Sequence, residues 1–426
     1  MLHLPLTIIL GFFLMLFGRS ASFQLKTNLF NRQIARHYTA AMSTLSSSRS
    51  ATTTDDVSTK EQIQARVVPV DRLEECGERL RQGQLVAFPT ETVYGLGCHA
   101  LDEQAILKVF AAKERPLTDP LIVHVSTFND ASPLWDNPND PALQSLTQSF
   151  WPGPLTLVAK AAAHIPPLLM AHTGYVACRS PQHALAQALL DTAKVPIAAP
   201  SANKFGHVSP TRAEHVWDDL KYENVWIVES NEGCNVGVES TVAKLSLDNE
   251  HHGVITVLRQ GAISIQQIEK CLAHSGLLSL YRVELQTKRT SPDHIATVAP
   301  GQSVRHYSPN IPSFLVTAKC AAATVSDADL QVLKTDIVID FGGILSHWKA
   351  HAVAYRDLSV SGNSDEAAQT VFETLRWAEV VQGGSRILFP DLDASTDGAD
   401  ALVLAIKDRL TRAASGVTID SLVESN

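Results

Sequence analysis

The chain has 426 residues, 45% of them hydrophobic and 19% charged, which is material for two or three domains with sizeable cores. Thirty-five Lys and Arg against 44 Asp and Glu give a net charge of −9, and Gly 22 and Pro 21 are ordinary usage, so a polycationic nucleic-acid binder and a collagen-like or low-complexity chain are both excluded. Six scattered cysteines (Cys76, Cys98, Cys178, Cys234, Cys271, Cys320) form no CxxC pair and no Cys/His zinc spacing. That pattern excludes a disulfide-stapled scaffold.

Residues 1–54 contain no Asp or Glu, five basic residues and fourteen Ser or Thr. Without them the net charge is −14, from 30 basic and 44 acidic residues. The apolar run Leu4–Gly18 is shorter than the ~20 residues a membrane span needs. Followed by Ser20-Ala21-Ser22-Phe23, it reads as a signal-peptide core ahead of a Ser/Thr- and Arg-rich transit segment, although the basic start is missing. This resembles the two-part leader of plastid proteins in algae with complex plastids. The sequence therefore predicts import into a plastid, or else a mitochondrion, with a mature protein that is not membrane-bound. A start at Met42 would instead leave a cytoplasmic product.

Beyond the leader, Ala65–Val70 reads as a strand. Asp71 with Glu74 reads as a capping box opening a helix that Gly83 ends. Leu85–Phe88 is a buried strand. A helix from Asp102 to Lys113 carries Ala105, Ile106, Val109 and Phe110 on one face. Leu121–Val125 and Val195–Ala199 read as core strands and Ala184–Leu190 as a helix between strands, so the class is α/β. From Gln286 to Pro309 the chain is polar and Pro-punctuated, which predicts a linker. A second α/β unit follows: strands at Ser313–Val316 and Asp336–Phe341, a Ser364-capped helix, a strand at Arg386–Phe389, and a last helix closed by Gly416. The expected division is 62–285, linker 286–312, and 313–426.

No P-loop, G-x-G-x-x-G, H-E-x-x-H or G-x-S-x-G pattern occurs, so any phosphate chemistry must use another cradle. Four segments instead combine tight turns with polar groups at the ends of predicted strands, where open α/β sheets bind ligands. They are Pro89–Gly97; Lys113-Glu114-Arg115-Pro116 through Asp119 and His124; Pro200-Ser201-Ala202-Asn203 with Ser209; and Glu239-Ser240-Thr241 with Arg259. Lys113, Arg115, Arg179 and Arg259 could neutralise most of a triphosphate, and the Ser and Thr hydroxyls suit a zwitterionic or hydroxylated small ligand. Singly, each segment fits a plainer role: Lys113 and Arg115 a solvated helix terminus, Ser201–Asn203 a turn, His124 a core histidine.

In order, LVAFPTETVYGLG, KERPLTDPLIVHV, WPGPLTLV, VACRSP, AAPSAN with VSPT, and VESTV with LRQGAI resemble the YrdC-like domain of the threonylcarbamoyl-AMP synthase family over about residues 65–265. The likeness continues through Ala299-Pro300-Gly301 and Arg305–Pro309. AAQTVFETLRWAEV and AIKDRLTRAASG then resemble the extra domain of the family's long form. The resemblance implies a YrdC-like twisted, open, mixed sheet with helices, plus a smaller Rossmann-like α/β domain. It implies a nucleotidyltransferase that forms threonylcarbamoyl-adenylate and pyrophosphate from L-threonine, bicarbonate or CO2, and ATP with Mg²⁺. A separate transferase then uses the product to modify the tRNA adenosine next to the anticodon.

By the same resemblance, Thr92, His124, Arg179, Ala199 and Ser240 surround threonine. Lys113, Arg115, Asp119, Tyr175, Ser201, Asn203, Ser209, Arg259 and Tyr307 surround ATP, with Lys113 and Arg115 as the catalytic pair and no resident metal. Thr173 competes with Tyr175 for its place, and Tyr307 belongs to a linker that closes over the pocket. Asp119 stands where Asn is common, Gln260 where proline is usual, and Ser308 where alanine is usual. A carboxylate beside a triphosphate needs Mg²⁺ or Arg115 to compensate it. An RNA-binding YrdC-like module without synthase activity is the alternative, but it would want a basic, aromatic-studded face that this charge balance does not supply. Relatives acting on carbamoyl phosphate carry zinc-finger cysteines absent here.

Overall fold

A computed structural model of the chain describes residues 62–248, 252–286, 297–298, 307–392 and 400–423. The leader at 1–54 and the linker positions 299–306 lie outside these residues. Among the described residues no helix is long and apolar enough to cross a membrane.

The expected mixed α/β architecture is present. Eleven strands form one sheet, in spatial order Arg66–Val68, Val225–Val228, Leu85–Phe88, Gly95–His99, Ile197–Ala198, Ile122–His124, Tyr175–Arg179, Leu155–Lys160, Thr241–Leu247, Gly253–Arg259 and Tyr281–Leu285. Parallel and antiparallel neighbours alternate irregularly across it. The period of two along each strand decides what each face does. Val123, Leu157, Cys178, Ala243 and Ile255 point into the largest core, against the helices Glu103–Lys113, Pro141–Phe150, Ala213–Leu220 and Ile265–His274. On the opposite face the helices Leu73–Arg81 and Ala184–Ala193 cover only one end, over Val86, Phe88 and Ile197. The rest of that face shows Ile122, Val158, Ala177 and Val242, with Tyr175, Leu258 and Val298 packed alongside. No described helix covers it; the stretch is bare of helices, although these side chains are buried, and the cleft described below borders it through Ile122.

The second sheet has five strands, in order Ala354–Asp357, Asp336–Asp340, Arg386–Pro390, Ser313–Val316 and Thr418–Ile419, every pair parallel. Such a sheet must be buried on both faces, and its inner strand Asp336–Asp340 reads DIVID with every residue buried. The helices Ser364–Glu379 and Ala401–Ala413 lie against it through Ala368, Val371, Phe372, Ala405, Ile406 and Leu410.

Two local expectations need correction. Asp71 does not cap the first helix: it sits in a 3₁₀ turn, Val70–Arg72, and Arg72 takes the cap position with no side-chain bond. Ser364 is the first helical residue, while Asn363 accepts from the Glu366 amide as the cap. The Ser364 hydroxyl instead donates to Asp400 at the start of the last helix.

The parallel unit docks on the loops beside the bare face. Val93, Val208 and Val238 join its core, together with Tyr307, whose ring lies 5.3 Å from that of Phe372. Gly237, at φ +73°, runs so close to a helix that a Cβ would sit 2.2 Å from the Ala368 carbonyl oxygen. Polar contacts flank this core. His207 Nδ1 is 2.8 Å from Asp219 and its Nε2 is 3.0 Å from Glu379, while Arg376 lies 3.1 Å from Asp219. Burial works against charge on His207, but the two carboxylates outweigh it and raise its pKa to about 9. Asp219 is drawn down to about 2 by His207 and Arg376 against its own burial.

A folded-state pKa above the unfolded one stabilises fully below about pH 6.5, and that gain is gone once pH has risen through about 9. Unfolding midpoints are therefore expected to fall between pH 6.5 and 9.5, and His207→Gln is expected to flatten that slope. Phe372→Ala is expected to cost about 3–5 kcal/mol in denaturant unfolding through the cavity it leaves.

Candidate active site

The cleft on the bare face is lined by residues from each of the four motif segments, and its empty space of about 520 Å³ is open to solvent. Two walls are the loops that follow Leu85–Phe88 and Ile197–Ala198, at strand ends as expected. The floor is the sheet face itself, reached by Ile122, His124 and Arg179, which strand-end reasoning did not foresee.

The first wall is a turn held by Thr90, whose hydroxyl donates to the Val93 carbonyl (2.7 Å) and accepts from the Thr92 and Val93 amides (3.2 Å each). It presents Thr92 to Arg179, whose Nη1 donates to Thr92 Oγ1 at 2.9 Å. Arg179 Nη2 lies 2.6 Å from the buried Glu91 carboxylate. His124 meets Phe88 edge-on at 6.2 Å, and its buried Nδ1 has no hydrogen-bond partner among the described residues. Burial, and then the Arg179 charge, push its pKa down to about 3, so the imidazole is neutral near pH 7.

The opposite side depends on a β-bulge. Val257 pairs with Ala243, but Arg259, two residues on, pairs with Val242, one residue back. Without the extra residue Arg259 would point into the helical core; the bulge turns it onto the face of Val242. There its Nε donates to the Ser240 carbonyl (3.0 Å) and its Nη2 to Ser240 Oγ (3.1 Å). Ser240 Oγ also lies 2.8 Å from Thr156 Oγ1. The chain then turns at Gly261, where a Cβ would lie 2.4 Å from the Thr241 amide.

Arg115 enters from beyond the helix Glu103–Lys113, after Glu114 takes a left-handed cap conformation at φ 56°. Its Nε and Nη2 donate to the Asp119 and Pro120 carbonyls (3.1 and 2.9 Å), and Nη2 lies 3.0 Å from the Asp119 carboxylate. Asp119 thus stands beside Arg115 and outside the cleft lining, with its pKa raised because burial outweighs the Arg115 charge.

Of the sequence-predicted residues, Thr92, Arg115, His124, Arg179, Ala199, Ser201, Ser240 and Arg259 line the cleft together. Six do not. Lys113 is buried with Nζ donating to the Ser201 (2.5 Å) and Asn203 carbonyls, so it shapes the Ser201–Asn203 turn. Burial and the neighbouring Arg115 push its pKa well down. Asn203 Nδ2 donates to the Lys204 and His207 carbonyls (2.7 and 2.8 Å), and Ser209 donates to Glu239 at 2.6 Å. Tyr175 shares the sheet face with Arg179 but lies further along the strand, under the Lys244 ammonium at 4.0 Å from its ring centre. Thr173 gives its hydroxyl to the Met170 carbonyl. Tyr307 is wholly buried against the C-terminal unit, and Asp119 has been placed above.

Sequence reasoning missed Thr90, Glu91 and Glu239 as functional positions. All three sit inside its quoted motifs, and their only signal was adjacency to Thr92 and Ser240.

Residues 78–261 match the Sua5–YciO–YrdC family, described as "Telomere recombination", and residues 263–415 match "Threonylcarbamoyl-AMP synthase, C-terminal domain". A threonylcarbamoyl-AMP synthase of Vibrio vulnificus is 37% identical over 35% of this chain and 82% of its own length. The chain belongs to the threonylcarbamoyl-AMP synthase family. The Pyrococcus abyssi member is 40% identical over 54% of this chain, and the match spans only 64% of that protein's length. The crystal structure of P. abyssi Sua5 complexed with L-threonine superposes with a TM-score of 0.69 at 30% identity, covering 83% of this chain and 99% of that one.

Gly261→Ala is expected to cost about 1–3 kcal/mol by forcing the Ser240–Thr241 backbone away. Gly233→Ala, with nothing within 4 Å of the added carbon, is expected to leave the unfolding midpoint unchanged.

Proposed function

We propose that the chain is an L-threonylcarbamoyladenylate synthase, converting L-threonine, bicarbonate or CO2, and ATP into threonylcarbamoyl-AMP and pyrophosphate. The observation that carries this reading is the meeting of Arg115, Arg179 and Arg259 with Thr92, Ser201 and Ser240 in one cleft of a family member. The relatives' names and the L-threonine complex of P. abyssi Sua5 support it.

The chemistry needs little from a protein base. Threonine's amine adds to CO2 and loses a proton, and a carbamate oxygen attacks the α-phosphorus. The bond from that phosphorus to the β-phosphate oxygen breaks, and pyrophosphate leaves. Positioning and charge neutralisation are the main requirements. Thr92, Arg179, Ser240 and the neutral His124 would hold the amino acid, beside the Ala199 backbone. Arg115, Arg259 and Ser201 would face the phosphates, with Lys113, Asn203 and Ser209 shaping the loops around them, and Asp119, Tyr175 and Tyr307 further out. Mg²⁺ would enter as MgATP, with the substrate. The product would pass to a separate tRNA threonylcarbamoyltransferase, and the leader at 1–54 would direct import into a plastid or mitochondrion.

A protein spanning 55–426, incubated with ATP, Mg²⁺, bicarbonate and labelled threonine, is expected to release pyrophosphate only when both threonine and bicarbonate are present. Release that ignores either would overturn the assignment. Arg115→Ala is expected to slow turnover about a hundredfold, the loss of about 3 kcal/mol of transition-state stabilisation.

A further inference from the structure

Arg409, on the helix Ala401–Ala413 of the C-terminal unit, is wholly buried, yet its guanidinium reaches the other domain. Nε lies 3.1 Å from Glu239 Oε2, Nη1 donates to the Gln260 carbonyl at 2.6 Å, and Nη2 donates to the Glu239 carbonyl at 3.4 Å. Its carboxylate neighbour Asp408 (3.3 Å) is shared with Arg412. Tyr307 places its ring 5.6 Å from the guanidinium.

Glu239 lines the cleft and stands next to Ser240, to which Arg259 is bonded. Among the described residues Arg259 has no carboxylate within salt-bridge distance, unlike Arg115 with Asp119 and Arg179 with Glu91. Glu239 is near enough to act on Arg259 electrostatically. A buried carboxylate and a buried guanidinium on one cleft wall would pair unless something else claimed the carboxylate. Arg409 claims it from one side and the Ser209 hydroxyl from the other.

We infer that Arg409 is a positioning residue of the cleft: by holding Glu239 from the C-terminal unit it keeps Arg259 available to an anionic group of the ligand. This rests on the proposal that the phosphates of ATP occupy the cleft, and it gives the C-terminal unit a defined part in nucleotide binding. Without Arg409, Glu239 is left buried beside Arg259, which has no carboxylate of its own among the described residues. It would turn to Arg259 and would repel phosphate oxygens as well.

The test is steady-state kinetics on the full chain with the variants Arg409→Met, Glu239→Gln and the double variant. Arg409→Met is expected to raise the KM for ATP at least tenfold while the KM for threonine stays within threefold. Adding Glu239→Gln is expected to restore most of the ATP KM, because an amide neither needs a cation nor repels a phosphate. Loss of packing alone would make the double variant as poor as the single one or worse. If Arg409→Met does not fold, Arg409→Lys carries the test; it keeps the charge but not the fork, and a rise in ATP KM relieved by Glu239→Gln is expected again. A folded Arg409 variant with an unchanged ATP KM, or one that Glu239→Gln does not rescue, overturns the inference while an active wild-type enzyme leaves the synthase reading standing. An inactive wild type overturns both.

Discussion

Three guanidinium groups lie together on one sheet face, out of water, and the rest of the site follows from how their charge is compensated. A buried cation is costly unless it is paired or fully hydrogen-bonded. Arg115 meets Asp119, and Arg179 meets Glu91. Among the described residues Arg259 has only the Ser240 carbonyl and hydroxyl. The cleft therefore carries one guanidinium without a carboxylate, and an anion entering there completes an arrangement that the protein leaves incomplete. The neutral His124 adds a polar contact without adding charge.

The fold makes this arrangement possible by what it omits. Two helices cover one end of the face and four pack behind it, so the middle strands bring Ile122, His124 and Arg179 to the cleft. A single bulge turns Arg259 onto that face. The C-terminal unit contributes from outside the sheet: its core takes in Val93, Val208 and Val238 from the loops bordering the cleft, and its helices bring Arg376 and Arg409 to them. Those loops are fixed by both domains, so the site depends on their docking.

Much of this was legible in the sequence. The buried strands at Leu85–Phe88 and Ser313–Val316 and the helix beginning after Asp102 fall where hydrophobic spacing and capping chemistry place them. Eight of the predicted site residues meet in one cleft because motif order recorded a shared face. Lys113 Nζ and Asn203 Nδ2 donate to backbone carbonyls and Ser209 donates to Glu239, while Asn203 Oδ1 has no hydrogen-bond partner among the described residues. Residue type cannot tell a donor facing a ligand from one holding the loop around it. The Arg259 bulge depends on a cross-strand register that no local pattern encodes, and the grip of Arg409 on Glu239 joins residues 170 positions apart. Asp71 and Ser364 show the limit of capping rules at a helix entrance, where one residue's shift changes which side chain reaches the free amides.

The central claim is that amino acid and nucleotide lie side by side on this bare sheet face. A crystal structure of the chain with L-threonine and a non-hydrolysable ATP analogue tests it most directly. The account predicts the threonine within hydrogen-bond reach, about 3 Å, of Arg179 and Ser240, with phosphate oxygens on Arg259 and Arg115. Clear density for either ligand elsewhere, with the cleft holding only solvent, would contradict it.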